Sequence, residues 1–284
     1  MSIRFLEVSY RYARKTKNEI LALDHLDFQI QQGEFIAVIG RTGCGKSTAA
    51  QHINALLNPS EGRVEVNEFI NDASKKLRSK NLSDVRRKVG LVFQFPEYQL
   101  FEETVEKDVA YGPKNFGEKM EDALDIAHDC LKQVGLDESF FQRSPFELSG
   151  GEKRRVAIAG ILALKPEYLV IDEPTAGLDP SGTKAMMDLF KGLHEQGMTV
   201  VLITHDMELV RSYATRVLVL EKGKVVKDCA PDDLFKGDLK QYSLDLPMIS
   251  QFLQNLESRG IHFEKEDCKS IVSLSSAIAR RGQK

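Results

Sequence analysis

The chain has 284 residues, of which 42% are hydrophobic and 29% are charged, and its formal net charge is −3. This composition excludes a disordered or collagen-like chain, and the near-neutral charge argues against a protein that coats nucleic acid. At roughly 150 residues per domain, the length predicts about two domains.

The first half of the chain alternates between apolar runs and helical patterns. Strands are expected at 20–30, 34–39, 64–66 and 89–93, and a helix is expected over 46–57, ahead of Pro59. Residues 71–88 are polar and basic and predict a surface segment. Apolar positions at helical spacing predict that 104–147 is mostly helical.

The second half continues this alternation. Ser149 is expected to cap a helix, and strands are expected at 168–171, 199–204 and 216–220. Strands that alternate with helices predict a parallel α/β sheet. The last 48 residues, 237–284, predict two amphipathic helices. These helices would form either a small appendage that packs on its own domain or an element that contacts another subunit.

Two further features concern the location of the chain. No apolar run reaches the ~18 residues that a membrane span requires, and the N-terminus lacks the apolar core of a signal peptide. We therefore expect the chain in the cytosol. The four cysteines form no CxxC pair and are expected to be reduced thiols: Cys44, Cys130, Cys229 and Cys268.

A glycine-rich segment carries the first chemical signal. It fits the pattern G-x-x-x-x-G-K-[ST] and consists of Gly40, Arg41, Thr42, Gly43, Cys44, Gly45, Lys46 and Ser47. Glycines let the backbone N–H groups surround a phosphate, Lys46 would reach the β- and γ-phosphates, and Ser47 would offer its hydroxyl to Mg²⁺. Because Cys44 precedes a helix, we expect its thiol pKa to be lowered and its alkylation to block nucleotide binding.

An acidic pair follows the apolar run 168–171. Carboxylates at the carboxyl end of a buried strand emerge where α/β proteins bind their ligands. Asp172 would hold Mg²⁺, and Glu173 would be the base that orients or deprotonates the attacking water.

These motifs resemble those of a known family. The segment Leu148-Ser149-Gly150-Gly151-Glu152 is similar to the signature of ATP-binding cassette (ABC) ATPases. The order of the other motifs also matches: Gln94 after a strand, Asp172-Glu173-Pro174, Leu178-Asp179, and His205 after a strand. The resemblance covers about residues 3–235. It implies an α/β fold with a P-loop NTPase ABC ATPase core, an antiparallel β lobe and a helical lobe, plus a small helical C-terminal domain.

The resemblance also implies the domain limits. Residues 1–236 would form the nucleotide-binding domain, with the helical lobe at about 95–160. Residues 237–284 would form the helical C-terminal domain, which would contact another subunit. One such chain makes two half-sites, so that ATP would be bound between two cassettes. This chain would therefore pair with a second ABC ATPase.

The resemblance implies residue roles as well. Lys46, Ser47, Thr48 and the loop amides would bind the phosphates of ATP, and Gln94 would contact Mg²⁺ and sense the γ-phosphate. His205 would hydrogen-bond the γ-phosphate and the water. Tyr12 would stack on adenine, with Tyr10 as the alternative. The γ-phosphate of the nucleotide in the opposite subunit would be bound by Ser149, Gly150 and Gly151, and Asp179 would lie at the subunit contact.

The segments 94–101 and 111–115 narrow the resemblance. They look like those of the ATPase subunits of energy-coupling factor (ECF) transporters, more like the second of two paralogues. This implies a subunit that hydrolyses ATP to power import of vitamins or other micronutrients at the cytoplasmic face of the cell membrane. Its partners would be a paralogous ATPase, a transmembrane coupling subunit and a substrate-binding membrane subunit, with no nucleic acid.

Three alternatives remain open at this point. The chain could serve another ABC transporter, act as a soluble ABC ATPase on ribosomes or DNA, or regulate without turnover. An exposed apolar groove for a helix of the membrane partner is expected from Phe95, Tyr98, Leu100 and Phe101, against the alternative of ordinary loop packing. The basic run 153–155 is expected to be a solvated helix face.

Overall fold

The computed structural model describes residues 1–75, 79–242, 244, 246–261, 263 and 271–282. Its first sheet is antiparallel and has the strand order β2-β1-β4-β5. These strands are β1 (Ser2–Tyr12), β2 (Ile20–Gln31), β4 (Glu61–Val66) and β5 (Phe69–Asp72). The predicted strand at 20–30 is confirmed, and the predicted strand at 64–66 begins three residues earlier.

The second sheet has the strand order β10-β9-β3-β8-β7-β6. Its members are β3 (Phe35–Ile39), β6 (Val89–Val92), β7 (Tyr168–Asp172), β8 (Thr199–Ile203), β9 (Arg216–Glu221) and β10 (Lys224–Cys229). All neighbours are parallel except β10, which pairs antiparallel with β9 at the edge. β3 and β8 are buried along their whole length, as continuous apolar runs in a parallel sheet should be. The predicted parallel α/β sheet is confirmed.

Helices connect these strands. In the described part of the chain they are α1 (Lys46–Ile53), α2 (Ser79–Lys88), α3 (Val105–Asn115), α4 (Met120–Gln133), α5 (Glu138–Phe141), α6 (Gly150–Leu162), α7 (Pro180–Glu195), α8 (Met207–Tyr213), α9 (Pro231–Phe235), α10 (Met248–Glu257) and α11 (Ile271–Gly282). Short 3₁₀ turns form at Pro96–Gln99, Pro145–Glu147 and Leu239–Tyr242. The two C-terminal helices are present as predicted, while Cys268 lies outside the described residues.

One prediction of local structure is wrong, and another left out a helix. Helix α1 ends at Ile53 rather than at residue 57, because Ala55 has a positive φ of 53° and the amides of Leu56 and Leu57 turn back to Gln51 O. The described residues of 71–88 are mostly exposed, as expected of a surface segment, and they include the end of β5 and helix α2. Val85 of α2 is buried and Leu82 is partly buried against the same cluster, so these two apolar positions anchor the polar helix.

The parallel sheet lies between two hydrophobic clusters. On one face it packs against α7 and the group α3, α4 and α6. On the other face it packs against α1 and the antiparallel sheet. A smaller cluster joins α8 and α9 to β9 and extends to Leu239 and Leu244. Within the described residues, no helix combines the length and the apolar character needed to cross a bilayer.

Candidate active site

The predicted site residues lie at one edge of the parallel sheet, at the ends of four neighbouring strands. The order β3-β8-β7-β6 places their carboxyl ends side by side. Gly40 follows β3, His205 follows β8, Asp172 and Glu173 end β7, and Gln94 follows β6. Such an edge is where open α/β sheets bind their ligands. Residues up to 165 positions apart in the sequence thus meet at one place.

The glycine-rich loop between β3 and α1 requires glycine on steric grounds. Gly40 has a φ of 147°, and a Cβ there would lie 2.2 Å from Leu220 O. Gly45 has a φ of 110°, and its Cβ would lie 2.6 Å from Ala22 O. The backbones of β9 and of the antiparallel sheet lie so close to the loop that a side chain at either position would have to displace them. Between them Arg41, Thr42 and Gly43 are exposed.

Lys46 lies at the start of α1 with its stem buried. Its Nζ donates hydrogen bonds to Gly40 O at 2.6 Å and to Arg41 O at 3.2 Å, so the ammonium group lies across the mouth of the loop. Gly45 caps the helix without a side chain, so the first amides of α1 are left facing the loop. Amides and ammonium together form a site for an anion.

The expectation of a lowered pKa for Cys44 is wrong. Cys44 is buried in the cluster between the two sheets, and burial raises the pKa of its thiol although the Lys46 ammonium opposes this. Its amide donates to Arg41 O, and its carbonyl accepts from Gly223 of the β9–β10 turn. Cys44 therefore acts as a small residue that fills space beneath the loop.

Ser47 and Asp172 bring two oxygen ligands together. The Ser47 hydroxyl hydrogen-bonds the Asp172 carboxylate, while burial, aided by the neighbouring charge of Glu173, raises the pKa of Asp172 above its ordinary value. Mg²⁺ prefers hard oxygen ligands and keeps several waters. A hydroxyl beside a half-buried carboxylate, next to an anion site, fits such an ion. The exposed Gln94 follows the adjacent strand.

Glu173 and His205 form a direct pair. His205 Nδ1 lies 2.8 Å from Glu173 Oε1, and the Thr204 hydroxyl lies 3.4 Å from Glu173 Oε2. The His205 side chain is 78% exposed and that of Glu173 is 17% exposed. Glu173 has a φ of 49°, a left-handed conformation that costs a non-glycine residue free energy and that its surroundings must hold in place. The pair presents a carboxylate and an imidazole to the solvent in front of the sheet edge.

Tyr12 and Tyr10 differ in their surroundings. The Tyr12 hydroxyl lies 3.1 Å from Thr48 Oγ1 on α1, and its ring is exposed. Tyr10 is half-buried between Tyr12 and His52, with ring centroids 4.9 Å and 4.8 Å away. The exposed ring beside α1 is therefore that of Tyr12, and the ring of Tyr10 packs edge-on against it.

The predicted signature residues lie at the start of α6, and Asp179 lies at the start of α7. Ser149 caps α6 in a capping box with Glu152, and Cβ atoms on Gly150 or Gly151 would meet no atom of the chain within 4 Å. Asp179 caps α7 by accepting from the amide of Gly182 at 2.6 Å. The backbone at these two helix starts is exposed.

Arg154 is buried next to the loop that follows Glu173, so the expected solvated face over 153–155 is wrong for it. Arg154 is 4% exposed and forms a forked ion pair with Glu97, with Nη2–Oε1 and Nε–Oε2 distances of 2.9 Å and 3.1 Å. The sequence did indicate that Arg154 is buried, because at helical spacing it lies on the same side of α6 as Ile158 and Leu162, both of which are buried.

The apolar segment after Gln94 is exposed only in part. Phe95, Tyr98 and Phe101 are exposed, and Tyr111 packs edge-on against Phe101 with ring centroids 4.8 Å apart. Leu100 is 8% exposed and belongs to the core cluster, so its expected place in the groove is wrong. We call the exposed set Phe95, Tyr98, Phe101 and Tyr111 the aromatic face.

Comparisons with known proteins agree with this geometry. The family model described as "ABC transporter" matches residues 23–176. The energy-coupling factor transporter ATP-binding protein EcfA2 of Enterococcus faecalis is 51% identical over 268 residues, which cover 93% of this chain and 92% of the relative. EcfA2 of Streptococcus pneumoniae is 49% identical over 267 residues, covering 93% and 95%.

Solved structures give the same result. CbiO1 of Clostridium perfringens, part of the ABC transporter complex cbiONQ, is 33% identical with a TM-score of 0.74 and covers 89% of this chain and 98% of its own. The ATP-binding cassette MJ0796, dimeric and bound to ADP and Pi, is 32% identical with a TM-score of 0.72, covering 81% and 98%. The expected fold and family are confirmed: the chain belongs to the ABC transporter ATPases, among the ATP-binding proteins of energy-coupling factor transporters.

Proposed function

We propose that this chain is the ATP-binding and hydrolysing subunit that powers an ECF-type membrane importer of vitamins or other micronutrients. The observation that carries the proposal is the Glu173–His205 pair at 2.8 Å, at the sheet edge that also bears the phosphate loop. Relatives named as ECF transporter ATP-binding proteins over 93% of the chain support the transport assignment.

Nucleotide binding follows from the loop and its flanks. The loop amides, Lys46 and Thr48 bind the phosphates, and the exposed ring of Tyr12 stacks on the adenine. Ser47, Gln94 and Asp172 would hold Mg²⁺, which when bound neutralises charge on the phosphates. Lys46 exchanges its hydrogen bonds to the loop carbonyls for hydrogen bonds to phosphate oxygens.

The Glu173–His205 pair catalyses the hydrolysis of ATP. Glu173 accepts a proton from the attacking water or orients it, because its carboxylate directly follows β7 and pairs with His205 at the sheet edge. His205 holds that carboxylate through Nδ1, leaving its exposed far side to hydrogen-bond the γ-phosphate.

The second half of each site comes from another ATPase subunit, a paralogue of this chain. The exposed start of α6 is the same kind of anion site as the phosphate loop, so Ser149, Gly150 and Gly151 bind the γ-phosphate held by the partner. Asp179 lies at that subunit contact. We also propose that 1–236 is the ATPase domain, with a helical lobe at about 95–160, and that 237–284 is a C-terminal domain joining the two ATPases.

The aromatic face serves the membrane side of the complex. Exposed aromatic side chains next to Gln94 suit a helix of the transmembrane coupling subunit. The chain is thus a peripheral protein at the cytoplasmic face of the cell membrane, and a separate membrane subunit binds the substrate.

Glu173→Gln in the purified complex tests the catalytic assignment. We expect ATP hydrolysis to fall roughly 100- to 10,000-fold, because a general base contributes that much, while ATP still binds with unchanged affinity. Glu167→Gln is the matched control, since Glu167 lies at the opposite end of β7 and bonds Asn67. Hydrolysis near the wild-type rate in Glu173→Gln would show that another group activates the water.

A further inference from the structure

Arg154 connects three segments of the chain. Its guanidinium lies on α6 and holds Glu97 of the 3₁₀ turn Pro96–Gln99 in a forked ion pair. Its Nη1 also donates to Pro174 O and to Ala176 O, each at 3.0 Å. Pro174 directly follows Glu173, so one side chain joins the turn beside the aromatic face to the loop that carries the proposed base.

These contacts are buried and mutually dependent. The side chains of Arg154 and Glu97 are 5% and 13% exposed. Burial acts to raise the pKa of Glu97, but the hydrogen bonds and charge of Arg154 outweigh it, so that the net shift is downward and Glu97 stays ionised. A buried guanidinium cannot lose its proton and cannot remain unpaired without a large loss of stability. A displacement of Glu97 therefore displaces Arg154 as well.

A second contact runs alongside the ion pair. Phe95 has a φ of 57°, which turns its ring back so that the guanidinium lies 5.8 Å from the ring centroid. The same ring approaches Gly177, where a Cβ would lie 3.9 Å from Phe95 Cε1. Phe95 of the aromatic face therefore lies beside the loop 174–177, which Arg154 contacts through Pro174 O and Ala176 O.

The loop held by Arg154 is strained where it begins. Glu173 has a left-handed backbone, and its amide is fixed to Ile203 O at 2.9 Å. The two hydrogen bonds from Arg154 fix the next three residues, so the position of the Glu173 carboxylate depends on anchors on both sides.

We propose that Arg154, held by Glu97, is a positioning residue that couples movement of the aromatic face to the position of Glu173. This inference rests on the proposed function, because it assumes that a membrane subunit docks on the aromatic face. The ion pair would transmit the docking of the membrane subunit to the hydrolysis site.

Glu97→Gln tests the link without removing the side chain. The readout is a coupling ratio: the ATP hydrolysis rate of the complete membrane complex in nanodiscs, divided by the rate of the two ATPase subunits alone, with MgATP as substrate. We expect the wild-type ratio to differ from one and Glu97→Gln to shift it toward one by at least about twofold, the lower range for residues in a coupling network. The rate of the ATPase pair alone should change less.

Glu106→Gln is the matched control. Glu106 has an 11% exposed side chain and bonds His128 and Gln142 within the same helical group. It should leave the coupling ratio unchanged. An unchanged ratio in Glu97→Gln, or an equal change in Glu106→Gln, would overturn the inference. A wild-type ratio of one would contradict the proposed function itself.

Arg154→Lys tests the anchors on the loop. Lysine keeps the charge but donates from a single nitrogen, so it cannot replace the fork to Glu97 and the bonds to Pro174 O and Ala176 O together. We expect kcat to fall at least about threefold while KM for ATP stays within about twofold, measured well below the melting temperature of the variant. A variant with wild-type kcat, or with kcat and KM changed only in step with its unfolded fraction, would overturn the role.

Discussion

Leu100 and Tyr98 are two residues apart and should respond in opposite ways to truncation. Leu100 is 8% exposed and packs in the cluster that includes Val105 and Leu148, whereas Tyr98 is 84% exposed. Truncating a buried leucine costs about 2–5 kcal/mol, through lost transfer free energy and the cavity left behind. In a domain of this size each kcal/mol lowers the melting temperature by about 2–4 °C. A loss of about 3 kcal/mol would therefore lower the melting temperature by about 6–12 °C in Leu100→Ala.

Tyr98→Ala should leave the melting temperature nearly unchanged, because surface substitutions usually cost less than about 0.5 kcal/mol. It should instead weaken binding to the membrane subunits about 30-fold, if Tyr98 contributes the roughly 2 kcal/mol typical of an interface hot spot. Thermal unfolding of the isolated chain and co-purification with the membrane subunits measure the two effects. If Tyr98→Ala retained the complex fully, Tyr98 would not be a docking residue. If Leu100→Ala had an unchanged melting temperature, Leu100 would not be a core residue.

Three further outcomes follow from the surroundings of the phosphate loop. Tyr12→Ala should weaken ATP binding about tenfold through lost stacking, while Tyr10→Phe should not, as titration calorimetry would show; equal losses would refute the choice of Tyr12. Burial lowers the pKa of His52 to about 4, so protonation of the unfolded chain should remove about 3 kcal/mol of stability as the pH falls from about 6.5 to 4. His52→Phe should flatten that dependence, and an unchanged slope would contradict the assignment. Iodoacetamide should label buried Cys44 more slowly than Cys229 at pH 7, measured by peptide mass spectrometry; faster labelling of Cys44 would contradict its burial.

The sheet edge could be predicted because each motif directly follows an apolar run. Parallel strands end at the same edge whatever their order, so Gly40, Gln94, Asp172 and His205 had to lie near one another. The stripe that Arg154 shares with Ile158 and Leu162 indicated that it is buried, but nothing in the sequence indicated its partner. Glu97 is 57 positions away and meets Arg154 only through packing of α6.

Other features depended on tertiary contacts that patterns do not record. The strand β10, KVVKDC, mixes charged and apolar residues without alternation, because it lies at an edge and is mostly exposed. Leu100 lies among exposed aromatic residues in the sequence, yet it packs into the core at the end of the 3₁₀ turn Pro96–Gln99. The raised pKa of Cys44 depends on the two sheets that bury it, rather than on the helix start that the sequence shows.

The intact mass of the complex that contains this chain tests the central claim most directly. The chain would be tagged in its own cell, extracted from membranes in mild detergent and weighed by native mass spectrometry. We expect one copy of this chain together with a related but distinct ATPase and one or two integral membrane proteins. Recovery of the chain only from the soluble fraction, bound to ribosomes or to DNA-associated proteins, would contradict the importer assignment.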